Sequence, residues 1–236
     1  MKKTLNLRKV VAIAICLAIT ATIFSCRKEN DEKKVEANGL TKEINNLIPA
    51  ELLKEIEDMG MPIYRGDNPP KDITGIYVTS PNILFNSNIV NDYYPIGYKF
   101  ADEYYNYENQ DNKKLTITVK TRTANAIGEG SGAFIVGNGE KFSIFCLLNK
   151  ERIESGHKYK TINIYSGIIT TEGIKDFYSS IFMLEGGGKE WGLIENGKGR
   201  VTYDQDGLAE RTTWPNYKSF SENNLDEFYK SAEIEL

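Results

Sequence analysis

His157 is the only histidine in the chain, and this limits the available chemistry more than any other single fact. A zinc site built on two or three imidazoles cannot form within one copy. A serine triad would have to use His157, and the sequence has no G-x-S-x-G elbow to present its nucleophile. Cys146 and His157 could be read as a thiol and its base. Yet Cys146 lies in the apolar run 142–147 (FSIFCL), and free cysteine is among the most buried residue types. His157, in the turn-like stretch 154–158 (ESGHK), reads as a surface histidine. Two glycine-rich stretches could cradle phosphate. Residues 128–132 (GEGSG) lack the Lys-Ser/Thr pair of a P-loop, and residues 186–189 (GGGK) run on into Glu190 and Trp191. Both read as loop tips or bulges. Asp204-Gln205-Asp206-Gly207 has the look of half a calcium loop. A full loop needs a third oxygen ligand before the glycine and a bidentate Glu further on, and Glu210 comes too early. A plain β-turn is the simpler reading. Paired carboxylates of the glycosidase kind depend on spatial rather than sequence spacing, and no local feature singles out a pair among the 33 acids. We therefore expect no enzyme, no metal and no cofactor.

Aromatic residues stand out more. Tyr93, Tyr94, Tyr98, Phe100, Tyr104, Tyr105 and Tyr107 crowd fifteen residues, with Asn91, Asp92, Asp102, Glu103, Asn106 and Glu108 among them. Tyrosine offers a flat apolar face and a hydroxyl, which suits amphipathic ligands and protein partners. The six tyrosines form the candidate ligand-binding rim. A Tyr-rich strand packing a core on one face is the structural alternative.

The amino terminus is read as an address. Lys2, Lys3, Arg8 and Lys9 precede an apolar run over 10–24, and Ser25 precedes Cys26. Fifteen apolar residues are too few to cross about 30 Å of hydrocarbon, so the segment reads as a cleaved signal over 1–25. Ile23-Phe24-Ser25-Cys26 resembles the bacterial lipobox. That resemblance implies lipid on the Cys26 sulfur and a membrane anchor, since two or three acyl chains hold where one holds only marginally. Residues 27–36 (RKENDEKKVE) carry eight charges in ten, so 26–39 reads as a solvated, disordered tether reaching up to about 50 Å. Lys28-Glu29-Asn30-Asp31-Glu32 also resembles an acidic export signal for surface lipoproteins. The expected location is the outer membrane, on either face. Removing residues 1–25 leaves 25 basic and 33 acidic groups, a net charge of −8, which argues against nucleic acid as partner. Cys16 leaves with the signal and Cys26 is acylated, so Cys146 has no disulfide partner.

The elements that must position these residues follow from periodicity. Leu40, Ile44, Leu47 and Ile48 share helical spacing, as do Leu52, Leu53, Ile56 and Met59. Pro49 separates the sets, so a short helix, a bend and a second helix over 49–59 are expected, ending at Gly60. Residues 61–71 (MPIYRGDNPPK) complete this segment as an extended connector. From residue 72 the period becomes two. Leu115, Ile117 and Val119 alternate with polar residues, which predicts a half-buried strand. Asn138-Gly139, Glu172-Gly173 and Asn196-Gly197 each lie between strand-like runs and predict three hairpins. The third would join strands over 191–195 and 199–203. A closing helix is expected over 225–232. Phe142, Ile144, Cys146 and Leu148 fall on one side of their strand, with Phe145 and Leu147 on the other.

Strands apolar on both faces suggest an all-β antiparallel meander curled into a barrel over 72–236, with a helix outside; a two-sheet sandwich is the rival. Gly75-Ile76-Tyr77 opens the first strand after a helical lead-in and resembles the Gly-x-Trp of lipocalin-type (calycin) barrels, with Tyr in place of Trp. The wider layout of lipobox, tether, helix, Pro-Pro connector and Tyr- and Gly-rich β domain is similar to uncharacterised lipocalin-like lipoproteins of gut-type Gram-negative anaerobes. The resemblance implies that Tyr77 plugs the closed end, and that the barrel has room for a small apolar or amphipathic ligand. The protein is therefore expected to be a non-enzymatic binding lipoprotein. A cell-envelope interaction protein without a cavity is the alternative.

Overall fold

The computed structural model describes residues 34–130 and 132–215. The expected signal over 1–25, Cys26, most of the tether and the expected helix over 225–232 lie outside the described residues. The last part of the expected tether is already folded. Gly39 N donates to Glu36 O at 2.9 Å, and Leu40 N donates to the Asn38 side chain at 3.1 Å.

Two helices follow as the periodicity predicts. α1 (Lys42–Leu47) starts at Thr41, whose hydroxyl accepts from Ile44 N at 3.2 Å. α2 (Ala50–Asp58) starts at Pro49, which has a fixed φ and no N–H to leave unmet. Gly60, with φ 91°, ends the run in a conformation that side chains resist. Among the described residues, no helix is long and apolar enough to cross a membrane.

The remainder is mostly β, and thirteen described strands join one mixed sheet. They are β1 (Asp67–Asn68), β2 (Gly75–Thr79), β3 (Asn82–Ser87), β4 (Lys99–Phe100), β5 (Glu103–Asp111), β6 (Thr116–Arg122) and β7 (Ala126–Gly130). The rest are β8 (Ala133–Asn138), β9 (Lys141–Arg152), β10 (Lys158–Ile169), β11 (Gly173–Glu185), β12 (Gly199–Asp204) and β13 (Leu208–Arg211). Strands β9, β10 and β11 form an antiparallel meander, as expected. β1, inside the expected connector, pairs parallel to β8. β11 shares one edge between two partners, with Gly173–Lys175 on β13 and Tyr178–Phe182 on β12. β13 reaches β2, β2 pairs with β5, β5 with β6, and β6 returns to β9 through β7 and β8. These strands curl into a partial ring, from which β12, β3 and β4 branch away.

Alternate residues of the same strands feed two cores. Tyr77, Tyr105, Tyr107, Val119, Ile135, Phe142, Ile144, Cys146, Leu148, Tyr165 and Phe177 belong to the inner one. Phe145, Ile162, Ile164, Phe182 and Val201 face outward and are covered by Ile44, Ile48, Leu53, Ile56 and Met59 of the helical segment. The two-faced reading of β9 therefore holds.

Several local expectations do not. Leu115 has φ 55° and packs with the helices, so it leaves the face of Ile117 and Val119. Asn138 pairs with Lys141, which moves the two turn residues to Gly139 and Glu140. Residues 191–195 form no strand: Lys189–Trp191 is a 3-10 turn ended by Gly192 in the left-handed region. Gly128 and Gly130 lie within β7 rather than at a loop tip. A Cβ on Gly128 would stand 2.7 Å from Thr121 Oγ1 and 3.0 Å from Lys150 Cγ. The missing side chain makes room for Lys150.

Candidate functional site

The strand register assembles a polar cluster at one level of the ring. Tyr77 pairs with Tyr105, Tyr105 with Thr121, Thr121 with Gly128, Gly128 with Lys150, and Lys150 with Tyr159. Lys150 continues the inward series Phe142, Ile144, Cys146 and Leu148, so its ammonium is drawn into the ring. Its Nζ stands 3.5 Å from Glu103 Oε1, with the two side chains only 6% and 13% exposed. Tyr105 donates its hydroxyl to the other Glu103 oxygen at 3.1 Å. Burial works against the lysine charge. Glu103, and after it Tyr159, outweigh that and hold its pKa above the ordinary lysine value. A lysine kept charged in this way is a counterion and a donor, not a nucleophile.

Burial likewise pushes the Cys146 thiol far above the ordinary cysteine range, and Cys146 Sγ donates to Asn163 O at 3.7 Å. The His157 ring stacks on Trp191 with centroids 4.0 Å apart, and its Nε2 meets Gly186 O at 2.7 Å. Each member of the thiol-imidazole pair is thus engaged elsewhere. Among the described residues, no group of three His, Cys, Asp or Glu side chains could hold a metal ion.

A groove of about 1030 Å³ lies against this cluster. Thr121, Lys150 and Tyr159 border it, with Ile127, Lys158 and Trp214 among its other walls. Its character is mixed, both charged and aromatic.

The six sequence-nominated tyrosines separate into three environments. Tyr105 and Tyr107 are fully buried in the inner core, where burial holds both phenols well above the ordinary tyrosine range. Their rings contact Tyr165 at 5.1 and 6.2 Å, and Tyr105 also meets Phe177 at 5.0 Å. Tyr104 is half-buried, and burial followed by the charge of Asp102 raises its pKa. Tyr93, Tyr94 and Tyr98 belong instead to the loop over 88–98 that joins β3 to β4.

That loop is held firmly from below. Arg200 of β12 grips Asp92 with two hydrogen bonds, Nε to Oδ2 at 2.8 Å and Nη2 to Oδ1 at 2.6 Å. Ser87 Oγ donates to Asp92 at 2.6 Å, and Tyr94 N donates to it at 3.2 Å. These donors hold the Asp92 carboxyl below its ordinary value although burial, the largest influence, works the other way. The Arg200 guanidinium also lies 4.9 Å from the Tyr94 ring centre and 5.8 Å from that of Phe100. Tyr94 packs on Tyr98 at 4.4 Å and on Phe100 at 5.1 Å. Above this brace the tip exposes Val90 (81%), Tyr93 (85%) and Ile96 (64%).

Sequence reasoning missed Lys150 and Arg200, and took Glu103 and Asp92 only as polar neighbours of the tyrosines. For Glu103 and Lys150 a sign was present. Lys150 extends the even-numbered apolar series of its strand, and Glu103 extends the odd-numbered series of Tyr105 and Tyr107. The Asp92–Arg200 contact spans 108 residues and has no local trace. Set against known protein families, curated proteins and solved structures, the chain matches none.

Proposed function

We propose that the protein is an outer-membrane lipoprotein, anchored through lipid on Cys26, that binds a protein partner at the tip of its 88–98 loop. We read the partial ring as a lipocalin-like barrel used as a rigid scaffold. Tyr77, Tyr105, Tyr107, Phe142, Tyr165 and Phe177 are all buried in its inner core, so its own side chains occupy the place expected of a ligand.

The observation that carries this reading is the tip. Single exposed apolar residues are ordinary, but three at one loop end above a locked base are not. The Arg200–Asp92 grip and the packing of Tyr94, Tyr98 and Phe100 fix the loop, so little order remains to be imposed on binding. Tyrosine flanked by aliphatic residues matches the composition of interface centres.

A benzophenone side chain placed at Val90 of the full chain, in native membranes, is expected to trap one discrete heavier adduct. The double change Tyr93→Ser, Ile96→Ser should abolish that adduct. It should also leave stability within about 0.5 kcal/mol, as exposed substitutions do. No adduct, or the same adduct from a benzophenone at exposed Lys113, would remove the reading.

The anchor has its own test. Cys26→Ala is expected to move the processed protein from the membrane to the soluble fraction. Retention on the membrane after signal removal would show that lipid on Cys26 is not the anchor.

A second reading has the groove beside Lys150 in its favour. An amphipathic small molecule could lie there, its apolar part on Tyr159 and Trp214. Native mass spectrometry distinguishes the two, because only this reading expects a co-purified small molecule on the protein.

A further inference from the structure

The turn between β12 and β13 carries two carboxylates that the loop and the groove do not use. Asp204 ends β12 and is only 3% exposed. Its Oδ2 accepts from Ser80 N at 3.1 Å. Its Oδ1 is buried and has no hydrogen-bond partner among the described residues. Asp206 is exposed in the turn, and its Oδ1 accepts from Leu208 N at 3.0 Å. The two carboxyl groups act on each other. Burial first, then the neighbouring Asp206 carboxyl, push the Asp204 carboxyl up to about 7, with the backbone N–H groups of Ser80 and Asp206 pulling the other way.

An observation from another strand is independent of this pair. Asn82 of β3 stands directly opposite Asp204 in the β3–β12 ladder. Directly opposed residues share a face, with Cβ atoms about 4.5–5.5 Å apart. Asn82 is 5% exposed, and its Nδ2 donates to Ala101 O at 3.5 Å. Its Oδ1 is buried and also lacks a hydrogen-bond partner among the described residues. Two buried oxygens that lack a hydrogen-bond partner among the described residues therefore share one face, beside a second carboxylate. Neighbouring buried oxygens of this kind are stabilised by a positive charge placed between them.

We propose that Asp204, Asp206 and Asn82 form a binding site for a divalent cation of the calcium type. Calcium takes six to eight oxygens at about 2.3–2.6 Å in flexible geometry, so one amide and two carboxylates supply part of a shell and water completes it on the exposed Asp206 side. Magnesium demands a stricter octahedron and gives up water reluctantly, which fits strand-fixed ligands less well. The site also explains why the motif looks incomplete in sequence. The third oxygen ligand before Gly207 comes from Asn82, across the ladder, and not from within the turn. With two acids and one amide the affinity belongs at the weak end, with a dissociation constant of about 0.1–1 mM, as in extracellular modules.

The test is thermal unfolding of the full chain in detergent at pH 7.5, in EDTA and then in rising calcium chloride. The midpoint is expected to stay flat until calcium reaches about 0.1–1 mM and then to rise with the logarithm of its concentration. Asp206→Asn, at an exposed position, should move that onset up by about tenfold. Asn82→Asp, which adds a third carboxylate, should move it down by about tenfold. No rise up to about 10 mM would overturn the proposal. So would an equal rise with magnesium, or a rise that Asp206→Asn leaves unchanged. A midpoint raised by acidification to pH 5 but not by calcium would show that a proton, and not a cation, sits between the carboxylates.

Discussion

Replacing Tyr77 with alanine is expected to cost about 3–5 kcal/mol of stability, the range for a buried aromatic removed from a core. Tyr77 is fully buried on β2, and its hydroxyl donates to Ile73 O at 2.9 Å. Its ring packs 5.8 Å from that of Tyr107. The Arg211 guanidinium covers it from 4.9 Å, and Arg211 Nη1 donates to Thr74 O at 3.3 Å. The variant therefore loses apolar burial, a hydrogen bond and the surface on which Arg211 rests. Tyr77→Phe keeps the ring and should cost only about 1 kcal/mol for the lost hydrogen bond. Urea unfolding of the two variants separates these contributions. A loss under about 1 kcal/mol for alanine would show that the ring does not close this end of the core.

Lys150→Ala is expected to be as damaging, at about 3–5 kcal/mol, for a different reason. It leaves Glu103 in a place with little water and without the ammonium that stands 3.5 Å from it, while Tyr105 still donates to it. The double change Lys150→Met, Glu103→Gln removes both charges and keeps most of the volume. It should come out near neutral or stabilising, since a buried pair seldom exceeds its desolvation cost by much. A single variant no less stable than the parent at pH 7 would show that water reaches Glu103. In the parent, the raised Lys150 pKa sets the sign of the pH effect. Its contribution is complete below the unfolded value near 10.5 and is lost as the pH climbs through the folded value.

Legibility in the sequence followed the range of the interactions. The bend at Pro49, the hairpin around Glu172-Gly173 and the two faces of β9 depend on neighbours a few residues away, and all three are as read. Pairings between distant strands left no local pattern. β13 on β2, β7 on β9 and β1 on β8 had no counterpart in the sequence reading, and these contacts bend the sheet round. The Tyr-rich segment shows the same limit. The alternative of a Tyr-rich strand packing a core describes Tyr105 and Tyr107, but the rim reading grouped them with Tyr93, Tyr94 and Tyr98, from which the structure divides them. That division depends on Asp92, which Arg200 holds from β12. Trp191 misled because an aromatic next to Gly192 reads as strand and turn. Its real partner is His157, whose ring stacks on it.

The join between β2 and β13 has a consequence for how the molecule breathes. Only Glu210 with Val78 and Arg211 with Tyr77 are paired there, extended by Thr212 N to Ile76 O at 2.9 Å, whereas β9 and β10 stay paired over eleven positions. The circumference is thus lightly stitched at this seam, sewn between the earliest and latest of its strands. Transient opening should start at that seam, and Arg211 lying over Tyr77 is the clasp that delays it.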